Sequence, residues 1–193
     1  MYVLFYGNLC YYIGCNGNTI LLYSVKINYL YNIGINSNLL GEQFMEIVKF
    51  NLKDKNELLE LDKECFGVNH WDNKLWLEIL GDLEHNIIYL VKQNNELIAF
   101  LTIFNWGKEK NYVKITNIGT KSCFRGQKLA HKLFETMINE MKKEGMKDFR
   151  GETRVTNYPM QKVFSDFDFR NVETFKEYYD NPTEDALRYH LSI

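Results

Sequence analysis

At 193 residues and 46% hydrophobic content, the chain is long enough for one domain with a modest addition and apolar enough to bury a core. Its formal net charge of −2 excludes a global basic field for nucleic acid or an acidic membrane surface, so any anion site must be local. Cys10, Cys15, Cys65 and Cys123 form no C-x-x-C pair and His70, His85, His131 and His190 show no metal-ligand spacing, which argues for a reducing, cytoplasmic setting without disulfides or a structural metal.

Residues 1–44 differ from everything after them. Lys26 and Glu42 are their only charged side chains, while Tyr2, Tyr6, Tyr11, Tyr12, Tyr23, Tyr29 and Tyr31 interleave with Asn and Gly. Gly7, Asn8, Gly14, Asn16, Gly17 and Asn18 break every apolar run, so neither a signal peptide nor a spanning helix of ~20 residues is expected. Three readings stand for this Tyr/Asn-rich extension: a strand-rich appendage, a membrane- or partner-docking arm, or a start codon assigned upstream of the real one. The last is favoured, because Met45 opens a normal-looking domain, MEIVKFNLKDKNELLEL, that runs over 45–193.

Within that domain a strand is expected over 45–52. A helix follows over 55–66, carrying Leu58, Leu59, Leu61 and Cys65, with Asp54 as its N-cap. A second helix spans about 72–80, after Phe66 and Trp71. Strands over 87–92 and 96–104 form a hairpin around Gln93-Asn94-Asn95, and a turn over 106–110 leads to a strand over 112–119. Next comes a long amphipathic helix, in which Leu129, Leu133, Phe134, Met137, Ile138 and Met141 recur at three- and four-residue steps. A strand over 147–155, a helix opened by Asn157-Tyr158-Pro159 and two closing strands over 169–178 and 186–192 complete an α+β layered domain. Its central sheet is mixed, mostly antiparallel, and flanked by helices.

Two places carry chemistry. Arg125-Gly126-Gln127-Lys128-Leu129-Ala130 sits where a strand turns into the first helical turn, whose unpaired N–H groups carry the positive end of the helix dipole. With Lys121, Arg125, Lys128 and Lys132 nearby, the corner suits a pyrophosphate; the plainer reading is an ordinary connection with solvated lysines. Further on, Asp148, Arg150, Glu152 and Arg154 alternate with Phe149, Gly151, Thr153 and Val155. A charged face on a central strand needs a cleft or water, which singles out Glu152 as either a general base or an ion-pair partner of Arg150 or Arg154.

These segments together resemble the GCN5-related N-acetyltransferases, most closely the branch that acetylates the N-terminus of a ribosomal protein. The junction resembles the family pattern of Gln or Arg, two residues, Gly, one residue, then Gly or Ala, with Lys128 in the place of the central glycine. ETRVTNYPMQKVFSDFDF resembles the family's C-terminal segment without insertion, except that Phe164 takes a tyrosine position and Asp168 a glycine position. Tyr178-Tyr179 followed by Pro182 and Glu184-Asp185-Ala186 also recurs there. The resemblance implies a GNAT-type fold, acetyl-CoA as co-substrate and a primary amine acceptor, either a peptide N-terminus or a small molecule. It further implies that Ile118, Gly119 and Thr120 line the pantetheine arm, with Gly119 or Thr120 offering an N–H to the developing oxyanion. Arg125, Gly126, Gln127, Lys128, Leu129, Ala130 and His131 would hold the pyrophosphate, Asn157 and Phe164 would stand at the thiol end, and Glu152 would be the base. The alternative is a catalytically impaired acyl-CoA-binding protein of the same fold. Neither nucleic acid nor a membrane is an expected partner, and the sequence favours no oligomeric state.

Overall fold

The run Ile87-Ile88-Tyr89-Leu90-Val91 has no polar face, so a strand built from it must be covered on both sides. The computed structural model describes residues 2–6, 9–16, 19–23, 45–105 and 111–193, and the chain divides into two units, Met1–Phe44 and Met45–Ile193. In the first, β1 (Tyr2–Tyr6), β2 (Leu9–Asn16) and β3 (Thr19–Tyr23) form an antiparallel meander. The turn expected over 106–110 lies outside the described residues, as do the remaining residues of the extension.

The second unit contains β4 (Met45–Lys49), α1 (Lys55–Phe66), α2 (Asn73–Gly81), β5 (Asn86–Gln93), β6 (Glu96–Asn105) and β7 (Val113–Thr120). It continues with α3 (Leu129–Lys143), β8 (Asp148–Arg154), α4 (Tyr158–Asp166), β9 (Arg170–Tyr179) and β10 (Glu184–Ser192). The sheet order is β4-β5-β6-β7-β8-β10-β9; β7–β8 is parallel and every other pairing antiparallel. This is the mixed, mostly antiparallel sheet between helices that the sequence predicts. Among the described residues no helix is long and apolar enough to cross a membrane.

Strand alternation divides the core between two helical layers. Ile88 and Leu90 meet Leu58 and Leu61 of α1 and Trp76 and Ile79 of α2. Tyr89 and Val91 face the other way, into the cluster formed with α3 and α4. All six apolar residues singled out on α3 are buried there, each worth about 1.5–3 kcal/mol of transfer free energy. Expectation and structure part at the entry to α1. A short 3-10 turn, Leu52–Asp54, precedes the helix, so the side-chain cap falls to Asn51 and β4 stops at Lys49. Asp54 sits at the N-cap position of α1 without capping it; its Oδ2 accepts from the Asn51 N–H at 3.1 Å, completing the cap of the 3-10 turn, and its Oδ1 accepts from Lys92 Nζ at 2.6 Å.

One irregularity positions the rest. Thr102 pairs with Asn117 but Ile103 with Ile115, so Thr116 is the extra residue of a bulge in β7, and its hydroxyl donates to the Thr102 carbonyl at 2.9 Å. The bulge shifts the phase of the strand. Ile115 and Ile118 both join the α3–α4 cluster, while Gly119 turns to α1, where an added Cβ would stand 2.5 Å from Phe100 Cε1 and 3.0 Å from Cys65 Sγ.

Because Phe100 is wholly buried and cannot retreat, Gly119→Ala should lower the unfolding free energy by about 1–3 kcal/mol in urea titration with an unchanged m-value. Burial pushes the Cys65 thiol above its ordinary range, whereas Cys123 is exposed. Timed alkylation at neutral pH with peptide mapping should therefore label Cys123 well before Cys65.

Candidate active site

The parallel ladder between β7 and β8 runs over Val113↔Phe149, Lys114↔Arg150 and Ile115↔Gly151. Past the bulge, β7 follows β6 as far as Thr120↔Ala99, and β8 follows β10 as far as Arg154↔Ala186. Into the resulting gap opens a cleft of about 280 Å³. Thr116, Asn117 and Ile118 line it from β7, Glu152, Thr153 and Arg154 from β8, and Asn157, Met160 and Phe164 from α4 and its cap; Phe66, Asn69, Trp71 and Tyr179 also contribute to its wall. A second cleft of about 510 Å³ lies at the start of α3, lined by Ile118, Thr120, Phe124, Arg125, Gly126, Lys128, Leu129, Ala130 and His131 together with Asn157 and Met160. Ile118, Asn157 and Met160 belong to both walls, so the clefts adjoin.

The larger cleft carries features that suit an anion. By helix geometry the first N–H groups of α3 have no acceptor inside the helix, and they end on this wall. Gly126 at φ 79° and Lys128 at φ 59° turn the chain into the helix through the left-handed region. Of the four cations near the junction, Arg125 and Lys128 line the cleft. Lys121 is drawn off to Glu96 at 2.5 Å, and Lys132 Nζ lies 3.5 Å from Met45 Sδ. Arg125 Nε donates to the Thr120 carbonyl at 3.2 Å. His131 Nε2 sits 2.8 Å from Asp166, whose carboxyl is held below the usual range first by His131 and then by Lys162. Lys121 N–H donates to Ile98, so ladder alternation turns the main-chain groups of Gly119 toward β6 and those of Ile118 and Thr120 to the open side. Gly119 and Gln127 stand outside both cleft walls. The residues present thus fit a phosphate-bearing ligand with an extended amide arm.

In the smaller cleft Glu152 is the central carboxylate, with its side chain 6% exposed. Its Oε1 accepts from Arg188 Nε at 2.9 Å and its Oε2 pairs with Lys114 Nζ at 2.6 Å. The sequence suggests Arg150 or Arg154 as partners, but these pair with Asp148 and Glu184. Register explains the difference: Arg188 lies directly across the ladder from Glu152, closer than an i±2 neighbour on the same strand. Asn157 caps α4, accepting from Met160 N–H at 3.2 Å. Phe164 is buried, stacked on Tyr189 at 4.6 Å, and brings no hydroxyl. Of the nearby tyrosines, Tyr158 and Tyr178 are exposed, whereas Tyr179 lines the cleft and burial pushes its phenol up to about 12, keeping it protonated.

Asn117, Met160 and Lys114 were not singled out by sequence. Asn117 and Lys114 reach the wall and Glu152 through long-range strand pairing and Met160 through the packing of α4, for which the chain carries no local signal.

Residues 55–169 match the sequence model of the Acetyltransferase (GNAT) family. A Bacillus subtilis (strain 168) protein named "Putative ribosomal protein bS18-alanine N-acetyltransferase" is 35% identical over 136 residues, 70% of this chain and 87% of that protein. The fold is similar to the crystal structure of the ribosomal-protein-S18-alanine N-acetyltransferase from Escherichia coli, with TM-score 0.70 and 20% identity over 78% of this chain and 94% of that one. It is also similar to Arabidopsis thaliana Naa50 in complex with the bisubstrate analogue CoA-Ac-MVNAL, with TM-score 0.67 and 19% identity over 77% of this chain and 99% of that one. The chain belongs to the GNAT acetyltransferase family.

Proposed function

We propose that this protein transfers the acetyl group of acetyl-CoA to a primary amine, with a peptide N-terminus as the favoured acceptor. The observation that carries the reading is the adjacency of an anion-binding helix start and a carboxylate-bearing cleft through Ile118, Asn157 and Met160. The peptide acceptor is supported by the name of the 35%-identical Bacillus relative.

In this reading Arg125, Gly126, Lys128, Leu129, Ala130 and His131, with the main chain of Gln127, hold the pyrophosphate. Ile118 and Thr120 pair with the amide arm as an added strand would, and Gly119 between them keeps β7 close to α1. Asn157 and Phe164 stand at the thiol end. The co-substrate supplies an acyl thioester. An amine nitrogen forms the new bond to the carbonyl carbon as the carbon–sulfur bond breaks, the sulfur leaves with the electron pair, and the proton the nitrogen sheds as it becomes an amide passes to solvent or to the departing thiolate. Glu152 takes the proton that the incoming α-ammonium, with a pKa near 8, must lose at neutral pH, and does so through water. Of the two N–H groups expected to meet the oxyanion, that of Thr120 faces the open side of β7. Phe164 has no proton for the departing sulfur, but a thiolate of pKa about 8.5 is an adequate leaving group.

Phe164 is also the observation behind a second reading, donor binding without turnover. Thiol release from acetyl-CoA, measured with a panel of amines and peptides beside calorimetric donor binding, separates the two. Turnover supports the transferase; tight binding without turnover, unchanged by Glu152→Gln, supports the binding protein; absence of both overturns the proposal. For the transferase, Glu152→Gln should lower kcat/KM about 100- to 10,000-fold at neutral pH with donor affinity retained. Lys128→Ala should raise the acetyl-CoA Kd about 3- to 10-fold, with the difference shrinking as salt is added.

A further inference from the structure

Asp62, on α1, is wholly buried, and the chemistry proposed above makes no use of it. Its Oδ2 accepts from the Trp71 main-chain N–H at 2.9 Å and from Trp76 Nε1 at 3.0 Å, and its Oδ1 accepts from Asn117 Nδ2 at 3.0 Å. A carboxylate offers only acceptor oxygens, so the Asn117 amide is fixed with its NH₂ toward Asp62. Its carbonyl oxygen is then left for the cleft that Asn117 lines with Glu152 and Tyr179. Trp71, anchored by the same carboxylate, also forms part of that wall. Both oxygens of Glu152 are already taken by Lys114 and Arg188, so a neutral acceptor oxygen elsewhere in the wall is well suited to a group that brings N–H donors.

Building on the transferase reading, we infer that Asn117 Oδ1 binds the nitrogen of the acceptor amine and that Asp62 is the positioning residue that turns it there. The bulge at Thr116 makes the arrangement possible by bringing Asn117 to the α1 side of β7. Asp62→Asn reverses the orientation. The new amide must give its oxygen to Trp71 and Trp76, so its NH₂ faces position 117, and Asn117 flips to present NH₂ to the cleft. The reciprocal exchange, Asp62→Asn with Asn117→Asp, restores an acceptor oxygen on the cleft side while preserving every hydrogen bond of the network.

The test uses the full chain, acetyl-CoA and an alanine-headed hexapeptide amide, with KM for the peptide, donor Kd and thermal midpoint measured for each variant. Asp62→Asn and Asn117→Leu should each raise peptide KM about tenfold or more with donor Kd unchanged, and the exchange should return KM to within about threefold of the parent. A structural role alone would lower the midpoint in the single variants and recover it in the exchange without moving peptide KM relative to donor Kd; that result overturns the inference. An active parent whose peptide KM is indifferent to all three changes overturns it alone. A parent that neither binds acetyl-CoA nor acetylates any amine of the panel brings down the transferase reading, and this inference with it.

Discussion

The separation of β7 from β8 beyond Ile115↔Gly151 is the constraint on which the molecule's chemistry depends. Two adjacent parallel strands ordinarily continue their ladder, because an unpaired buried main-chain group costs about 1–3 kcal/mol. Here each strand keeps a partner on its far side, β6 for β7 and β10 for β8, so sheet pairing is retained along both outer edges of the gap. The inner edges open on a cleft, where water or an extended ligand meets the amide and carbonyl groups. The bulge at Thr116 adds local twist where the strands part, and the Thr116 hydroxyl satisfies the Thr102 carbonyl beside it.

Three buried carboxylates show how the same chemistry is put to different uses. Asp54 is matched by Lys92 at the edge of α1, a pairing that ties the helix start to β5. Asp62 has N–H partners in place of a cation, and these reach the α1–α2 loop, α2 and β7. Glu152 lies between Lys114 and Arg188 and borders the smaller cleft, whose wall includes neither Asp54 nor Asp62. Removing a carboxylate from water costs several kcal/mol, and close cations or several N–H donors offset it. For Asp54 the compensation serves attachment of a helix. For Glu152 the flanking cations hold a carboxylate at the wall of the smaller cleft.

What could be read from the chain followed the range of the interaction involved. The face of α3 was legible because Leu129, Leu133, Phe134, Met137, Ile138 and Met141 repeat at helical spacing. The alternation of Phe149, Gly151 and Thr153 with charged residues marked β8 and made Glu152 conspicuous. Arg188 as the partner of Glu152 was not legible, since cross-strand register joins residues 36 apart and leaves no local trace. The strict two-residue period also puts Ile115, Asn117 and Gly119 on one face, and one extra residue at Thr116 changes that assignment. At the start of α1, Asp54 carried the right residue type for a cap, but a 3-10 turn moved the cap three positions toward Asn51.

Lys128 is the place where local preference and position disagree most openly, and the disagreement has a direction. At φ 59° a lysine bears a left-handed penalty of about 1–2 kcal/mol that glycine would not. It also sets a cation at the positive end of the α3 dipole, where a like charge costs about 0.3–1 kcal/mol. Both terms work against the free protein, and neither is balanced by a side-chain cap or by core packing, because Lys128 is exposed and makes no capping bond. An anion held at the helix start reverses the electrostatic term and adds an attraction to both Lys128 and Arg125. The sum, about 1.3–3 kcal/mol, is tolerable for a domain whose stability is about 5–15 kcal/mol, but it is large for a residue with no task. Under the proposed transferase reading, a phosphate held at the start of α3 would offset the electrostatic part of this cost, while the left-handed part is borne in either state.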